Sequence, residues 1–331
     1  MSRLIECVPN YSEGRDRAVI DAIVASIASV GGVRVLNVDP GMAANRTVVT
    51  FVGPPEAVVE AAFRGSATAQ ERIDMRRHQG THPRIGATDV LPLVPLEEVT
   101  LAECAELARS LAQRMYEELG IPCYCYEAAA FKPARRNLAV CRAGEYEGLR
   151  EKMADPERRP DFGGAWNETV ARSGASVVGA RNFLIAVNFN LDTKDAAAAT
   201  EVAMDVREKG RKLPDGSWAR GPLKGCKAIG WYIEEYGIAQ VSMNVTDIAA
   251  TPLHVAYETV CRAAEARGLH VTGTEIIGLV PRQVLLDAGR YFLEKEGRPA
   301  DAGEEQLLQT AVRAMALDDL CPFDLKSRII H

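Results

Sequence analysis

Two of the chain's five histidines stand four residues apart, in the run Asp74-Met75-Arg76-Arg77-His78-Gln79-Gly80-Thr81-His82-Pro83-Arg84-Ile85-Gly86-Ala87-Thr88-Asp89. A neutral imidazole near pH 7 both takes and gives a proton, which is the chemistry of a general acid–base. Gly80, Pro83 and Gly86 impose an irregular backbone around His82, so the alternative is a loop histidine bonding backbone carbonyls. The pair also raises a metal site, flanked by Asp74 and Asp89. A four-residue spacing presents two ligands together only on one helix face, and Gly80 and Pro83 break a helix there. No metal is expected, and His78 reads as a hydrogen-bonded brace of its loop.

Other residues with usable chemistry lie at the ends of apolar runs. Asp39 closes one and precedes Pro40-Gly41: it is either a turn residue or a carboxylate that orients an imidazole or holds a cation. Arg46, Arg76, Arg77, Arg84 and Arg181 are available for bidentate pairing with carboxylates, Arg46 and Arg84 foremost because of the Gly/Asn-rich loops around them. Asn10, Asn45, Asn188, Asn190 and Asn244 sit at or near strand ends. Together they suggest a polar cleft for an amide-bearing heterocycle, although each alone fits a cap or turn. Lys209, Arg211, Lys212, Arg220, Lys224 and Lys227 surround Trp218, a basic run suited to an anionic tail or simply to solvent.

The elements that must position these groups follow from periodicity. Strands are expected at Leu4–Val8, Val33–Val38, Thr47–Val52 and Val90–Val94. One helix carries Val19, Ile20, Ile23, Val24 and Ile27, and Asn10 with Glu13 reads as its capping box. A second helix starts after Gly53-Pro54-Pro55. Thr100 and Glu103 cap a third helix, closed by Gly120, and a strand follows at Ile121–Tyr126. Pro133–Phe162 reads as a helix-and-loop connector. The second half repeats the plan: a strand at Phe183–Phe189, a helix through Val202 and Val206, a hairpin of Lys227–Glu234 with Ile238–Val245, a helix after Thr251-Pro252, and a strand at Val271–Val280. Arg211–Gly225 reads as an exposed, mobile loop. Each half has the order β-α-β-β-α-β. The fold class is therefore α+β, two ferredoxin-like (split βαβ) subdomains, drawn at 1–179 and 180–331.

At 331 residues, 47% hydrophobic and 25% charged, the chain has ample core for two domains. A net charge of −6 argues against nucleic acid as a partner. No apolar run suits a membrane span or a signal segment, and the eight cysteines hold no C-x-x-C pair. A cytoplasmic protein with unpaired thiols is expected. There is no dinucleotide-binding glycine pattern, P-loop or G-x-S-x-G elbow.

Several stretches in register resemble the glutamate formimidoyltransferase family, the transferase part of formimidoyltransferase-cyclodeaminase: Leu4–Gly14, Asn45–Pro55, Ile73–Gly86, Arg142–Glu147, Gly230–Tyr232 and Gly278–Pro281. The resemblance covers essentially the whole chain and implies two α/β subdomains with a ligand groove between them, and a homodimer. It implies transfer of the formimidoyl group from N-formimidoyl-L-glutamate to tetrahydrofolate, in histidine degradation, with tetrahydrofolate as co-substrate. His82 falls on the family's catalytic histidine in the H-x-G-x-H-P-R motif. Asp39 is expected to hold the amidinium or orient His82. Asn10, Asn45, Arg46, Arg84, Arg181, Asn188, Asn190, Asn244 and Glu275 are expected to bind substrate and folate. Glu275 is a departure, standing where some members carry a neutral amide. The chain ends near Cys321–Leu325, where the transferase part would end, so a stand-alone transferase is expected, whose product a separate cyclodeaminase could accept. Two alternatives stay open: transfer of formyl from N-formyl-L-glutamate on the same fold, and folate binding without catalysis.

Overall fold

Strand residues alternate between two faces, so the polar–apolar alternation of each strand decides which side meets the helices. In the computed structural model, which describes residues 3–299 and 302–330, this alternation builds two units, one up to Asn182 and one from Phe183 onward.

The first unit runs β1 (Leu4–Cys7), β2 (Asn10–Tyr11), α1 (Arg17–Ala28), β3 (Arg34–Gly41), β4 (Arg46–Gly53), α2 (Pro55–Arg72), β5 (Thr88–Glu97), α3 (Leu101–Leu119) and β6 (Cys123–Glu127). A 3₁₀ turn (Pro133–Arg136) and three short helices, α4 (Leu138–Arg142), α5 (Leu149–Ala154) and α6 (Glu168–Ser173), lead to β7 (Ser176–Ala180). Strands β1 and β2 act as one interrupted strand between β4 and β5, with β3 outside β4 and all these pairs antiparallel. At the other side β7 joins β5 in parallel, and β6 joins β7 in parallel.

Ile5, Cys7, Val49, Phe51, Leu91, Leu93 and Val178 face the helices and are fully buried with residues of α1, α2 and α3. A buried Phe such as Phe51 contributes about 1.5–3 kcal/mol of transfer free energy. The register puts Glu6, Asn10, Asn37, Asp39, Arg46 and Thr50 on the opposite face. Beside them, Val90, Tyr124, Tyr126 and Val177 form a small separate core with Cys141, Leu149 and Val170 from the α4–α6 segment.

Thr100 and Glu103 form the expected capping box, and Gly120 closes α3 with φ +70°. Asn10 and Glu13 do not cap α1, which corrects the sequence expectation. Asn10 is held in β2 by pairing with both β4 and β5, and Asp16 is the N-cap instead. Sheet hydrogen bonds on both sides of Asn10 outweigh one local cap.

The second unit runs β8 (Ile185–Leu191), α7 (Ala196–Val206), β9 (Arg211–Lys212), β10 (Trp218–Ala219), β11 (Cys226–Ile233), β12 (Ile238–Val245), α8 (Leu253–Glu265) and β13 (Val271–Ile277). It closes with β14 (Val280–Pro281), α9 (Arg282–Lys295), α10 (Glu304–Ala314), α11 (Leu325–Arg328) and β15 (Ile329–Ile330). Its four-stranded antiparallel sheet has the order β11-β12-β8-β13. Val187, Phe189, Val241 and Met243 face a core shared with α7, α8, α9 and α10. The Arg211–Gly225 stretch is more ordered than an open loop: β9 pairs with β10, and Arg211 is anchored to Glu201 and Asp205. Among the described residues no helix is long and apolar enough to cross a membrane.

Candidate active site

The His loop leaves the end of α2 and enters β5, and it lies on the turn between β3 and β4. Two residues permit this. Asn45 adopts φ +46°, a conformation asparagine tolerates better than most side chains. A Cβ on Gly80 would stand 2.1 Å from the Ala44 carbonyl oxygen, so only glycine lets the loop approach. The Asn45 amide then ties the segments together. Its Oδ1 accepts from the Gly14 N–H at 3.0 Å, and its Nδ2 donates to the Gln79 carbonyl at 3.0 Å.

Arg46 opens β4 on the polar face and reaches His82. Its Nη1 lies 2.7 Å from His82 Nε2 and 3.0 Å from Nδ1. His82 Nδ1 is also 2.7 Å from the Pro83 carbonyl oxygen. A carbonyl only accepts, so the hydrogen-bond network assigns the proton to Nδ1 and leaves the lone pair on Nε2, against Arg46. The second nitrogen, Arg46 Nη2, pairs with Asp89 Oδ2 at 3.0 Å. Asp89 is fully buried and also accepts from Arg142 Nε at 3.1 Å, Arg142 Nη2 at 2.5 Å and the Ile85 N–H at 3.1 Å.

The electrostatics follow from this packing. Burial pushes His82 well below the usual histidine range, and the cationic Arg46 and Arg142 push it further. Burial lowers Arg46 to about 9, with Asp89 opposing, so the guanidinium stays charged at neutral pH. The cluster is a neutral imidazole held against a cation that a buried carboxylate anchors.

His78 is turned to other partners. Its Nε2 lies 2.7 Å from the Asn45 carbonyl, and its Nδ1 accepts from Arg84 Nε at 3.1 Å. Arg84 spends its other N–H groups on Glu147 (2.8 and 2.6 Å), Glu145 (3.2 Å) and the His78 carbonyl (3.3 Å). All five of its donors are committed, and none is left for a substrate carboxylate in this arrangement. Among the described residues no group of three or more His, Cys, Asp or Glu could hold a metal ion.

Asn10 and Asp39 share the polar face with Arg46; Asn10 Nδ2 donates to the Val8 carbonyl at 2.9 Å. Arg181 follows β7 and donates to the Asn182 carbonyl at 3.1 Å. Its charge partly offsets the burial that raises Glu6, also on the polar face, to about 7.

The second unit groups its candidates by itself. Asn188, Asn190, Asn244 and Glu275 fall on the sheet face opposite the core. Glu275 Oε2 accepts from Asn188 Nδ2 at 2.9 Å and from Gln240 Nε2 at 3.2 Å, and Oε1 accepts from the Tyr236 hydroxyl at 3.2 Å. Asn190 bridges Gln240 at 2.8 Å and Asp319 at 2.9 Å, while Asn244 is exposed further along β12. Sequence reasoning overlooked Asp89 as an anchor, together with Arg142, Glu6, Gln240 and Asp319. Asp89 had a signal: a carboxylate at the start of a run as apolar as Val90–Val94 needs a buried cation partner.

Known proteins resemble the chain along its whole length. Residues 4–181 match the family described as formiminotransferase domain, N-terminal subdomain, and residues 186–331 match formiminotransferase domain. Formimidoyltransferase-cyclodeaminase of Gallus gallus is 47% identical over all of this chain, which spans 60% of that relative's length. Glutamate formimidoyltransferases of Streptococcus pyogenes and Thermoplasma acidophilum are each 42% identical over 89% of this chain and cover 95% and 93% of those proteins.

Proposed function

The chain belongs to the formiminotransferase family, and on that footing we propose that it transfers the formimidoyl group of N-formimidoyl-L-glutamate to tetrahydrofolate, releasing L-glutamate, as a step of histidine degradation. The observation that carries this reading is the neutral His82 beside Arg46. Folate N5 attacks the formimidoyl carbon and forms a tetrahedral intermediate. His82 Nε2 accepts the N5 proton, then returns it to the departing glutamate nitrogen, which is a poor leaving group without it. General acid–base work of this kind is worth about 10²–10⁴-fold. No electron transfer enters this sequence, and tetrahydrofolate is a co-substrate.

Arg46 serves the donor. A donor carboxylate is a better partner for a guanidinium than a neutral imidazole, so Arg46 Nη2 stays on Asp89 while Nη1 passes from the imidazole to the donor and uncovers Nε2 beside it. Asp39, on the same sheet face as Arg46, holds the amidinium and keeps its carbon electrophilic. Arg181 and Asn10 are further substrate candidates in the first unit, with Asn45 and Arg84 acting through the loop. Asn188, Asn190, Asn244 and Glu275 present the amide and carboxylate groups suited to a pterin. We read the two halves, 1–179 and 180–331, as split βαβ subdomains of a cytoplasmic homodimer.

The test is a spectrophotometric assay with tetrahydrofolate and either N-formimidoyl- or N-formyl-L-glutamate. Formimidoyl transfer is expected, falling about 10²–10⁴-fold in His82→Ala. Reaction with the formyl donor alone, or full rate in His82→Ala with normal folate binding, overturns the assignment.

A further inference from the structure

The two histidines of the loop are joined through Arg46. His82 meets its guanidinium, whereas His78 meets the peptide from which it springs. The Nε of Arg84 donates to His78 Nδ1 at 3.1 Å, so that nitrogen must carry the lone pair. The proton therefore sits on Nε2, aimed at the Asn45 carbonyl 2.7 Å away. Arg84 is fixed in turn by Glu147 through two parallel bonds and by Glu145. The Asn45 side chain is already spent on Gly14 and Gln79, so its carbonyl is the handle that remains.

We infer that His78 is a positioning residue for the reaction: Arg84 sets its tautomer, and its Nε2–H pins the Asn45–Arg46 peptide so that Arg46 reaches both His82 and Asp89. This rests on the reading of His82 as the acid–base group. The geometry requires the pin. Arg46 bridges a ring at 2.7 Å and a carboxylate at 3.0 Å, and a small rotation of the peptide before it moves the guanidinium off one of them. Asn45 stands in the left-handed region, which asparagine adopts more readily than most residues, and its contacts to Gly14, Gln79 and His78 hold it there. A displacement of about 1 Å at such a site costs on the order of 10²-fold in rate.

Two substitutions separate this role from simple loop support. In His78→Gln the amide nitrogen occupies the place of Nε2 and keeps a donor for the Asn45 carbonyl. In His78→Asn the amide occupies the place of Nδ1 and cannot reach it. We expect His78→Asn to lose about tenfold or more in kcat, with the KM of the donor changed far less, and His78→Gln to restore most of the rate. A second readout needs no turnover: NMR titration of the His82 ring. The charged groups of its cluster are Arg46 from β4, Arg142 from α4 and Asp89 from β5. Withdrawing Arg46 removes a nearby cation, so the His82 titration moves up in His78→Asn and returns in His78→Gln. Should His78→Asn fail to fold, Glu147→Gln loosens Arg84 from its exposed end and shifts both readouts in the same direction.

Equal loss in the Gln and Asn variants, or no loss in either with an unmoved His82 titration, overturns the inference. Failure of the functional reading looks different: the wild type then lacks formimidoyl transfer, or His82→Ala keeps it, while the titration still decides whether His78 places Arg46.

Discussion

Asp89→Asn tests whether one buried carboxylate holds the His82–Arg46–Arg142 cluster together. The substitution preserves shape and keeps Oδ1 as an acceptor for Arg142 Nε and the Ile85 N–H. It replaces Oδ2, which accepts from Arg46 Nη2 at 3.0 Å and Arg142 Nη2 at 2.5 Å, by an NH₂ facing those two guanidiniums. Two charge-assisted bonds are lost, each worth about 1.5–3 kcal/mol. Two cations also remain around a site with no exposed surface at position 89. Breaking a buried ion pair from one side costs about 3–5 kcal/mol, and the bond count gives an overlapping range of about 3–6 kcal/mol. Equilibrium urea unfolding should show the unfolding free energy falling by that amount, as a lower midpoint with an unchanged slope, and hydrogen exchange should speed up at the start of β5. A loss below about 1 kcal/mol, with transferase rate retained, would show that Asp89 does not anchor Arg46 and would refute the reasoning.

Three further outcomes are expected. His82 lies below the ordinary histidine value of 6.5, so kcat/KM should stay level as pH falls through 6.5 and decline only at more acid pH; a limb centred at 6.5 or above contradicts the depressed imidazole. Glu6 is raised from 4.5 to about 7, so its contribution to stability is fully present below pH 4.5 and is lost as pH rises through 7. Glu6→Gln should therefore gain up to about 3 kcal/mol relative to wild type between pH 5 and pH 8, read as the pH dependence of urea midpoints. Gly80→Ala places a methyl group 2.1 Å from the Ala44 carbonyl and should lower both thermal stability and kcat; a variant with wild-type values of both would show that the loop does not need to lie on the β3–β4 turn.

The strands and helices were legible because their periodicity is strong: the stripe of α3 and its Thr100–Glu103 cap can be read directly from residue order. Asn10 was misread because a capping box is a four-residue pattern, while the contacts that hold Asn10 in β2 come from residues 48 and 90. The site divides in the same way. His82 announces itself through residue type and its Gly/Pro setting. The roles of Arg46 and Arg84 do not, because arginines in loops look alike until their partners are known. One meets an imidazole and a buried carboxylate; the other meets Glu145, Glu147 and His78. Asp89 and Arg142 are 53 residues apart, and no local pattern joins them.

That separation has a consequence for how the molecule is made. Synthesis proceeds from the N-terminus, so His82, Arg46 and Asp89 all leave the ribosome before Arg142. Arg142 arrives on the crossover between β6 and β7, and β7 must pair with β5 at Val90–Leu93 before that crossover is closed. Closing so long a connection is slow compared with forming the hairpin of β3 and β4. The nascent chain thus carries His82 before the second of the two arginines that share Asp89. The His82 cluster matures late, when the parallel edge of the sheet is complete.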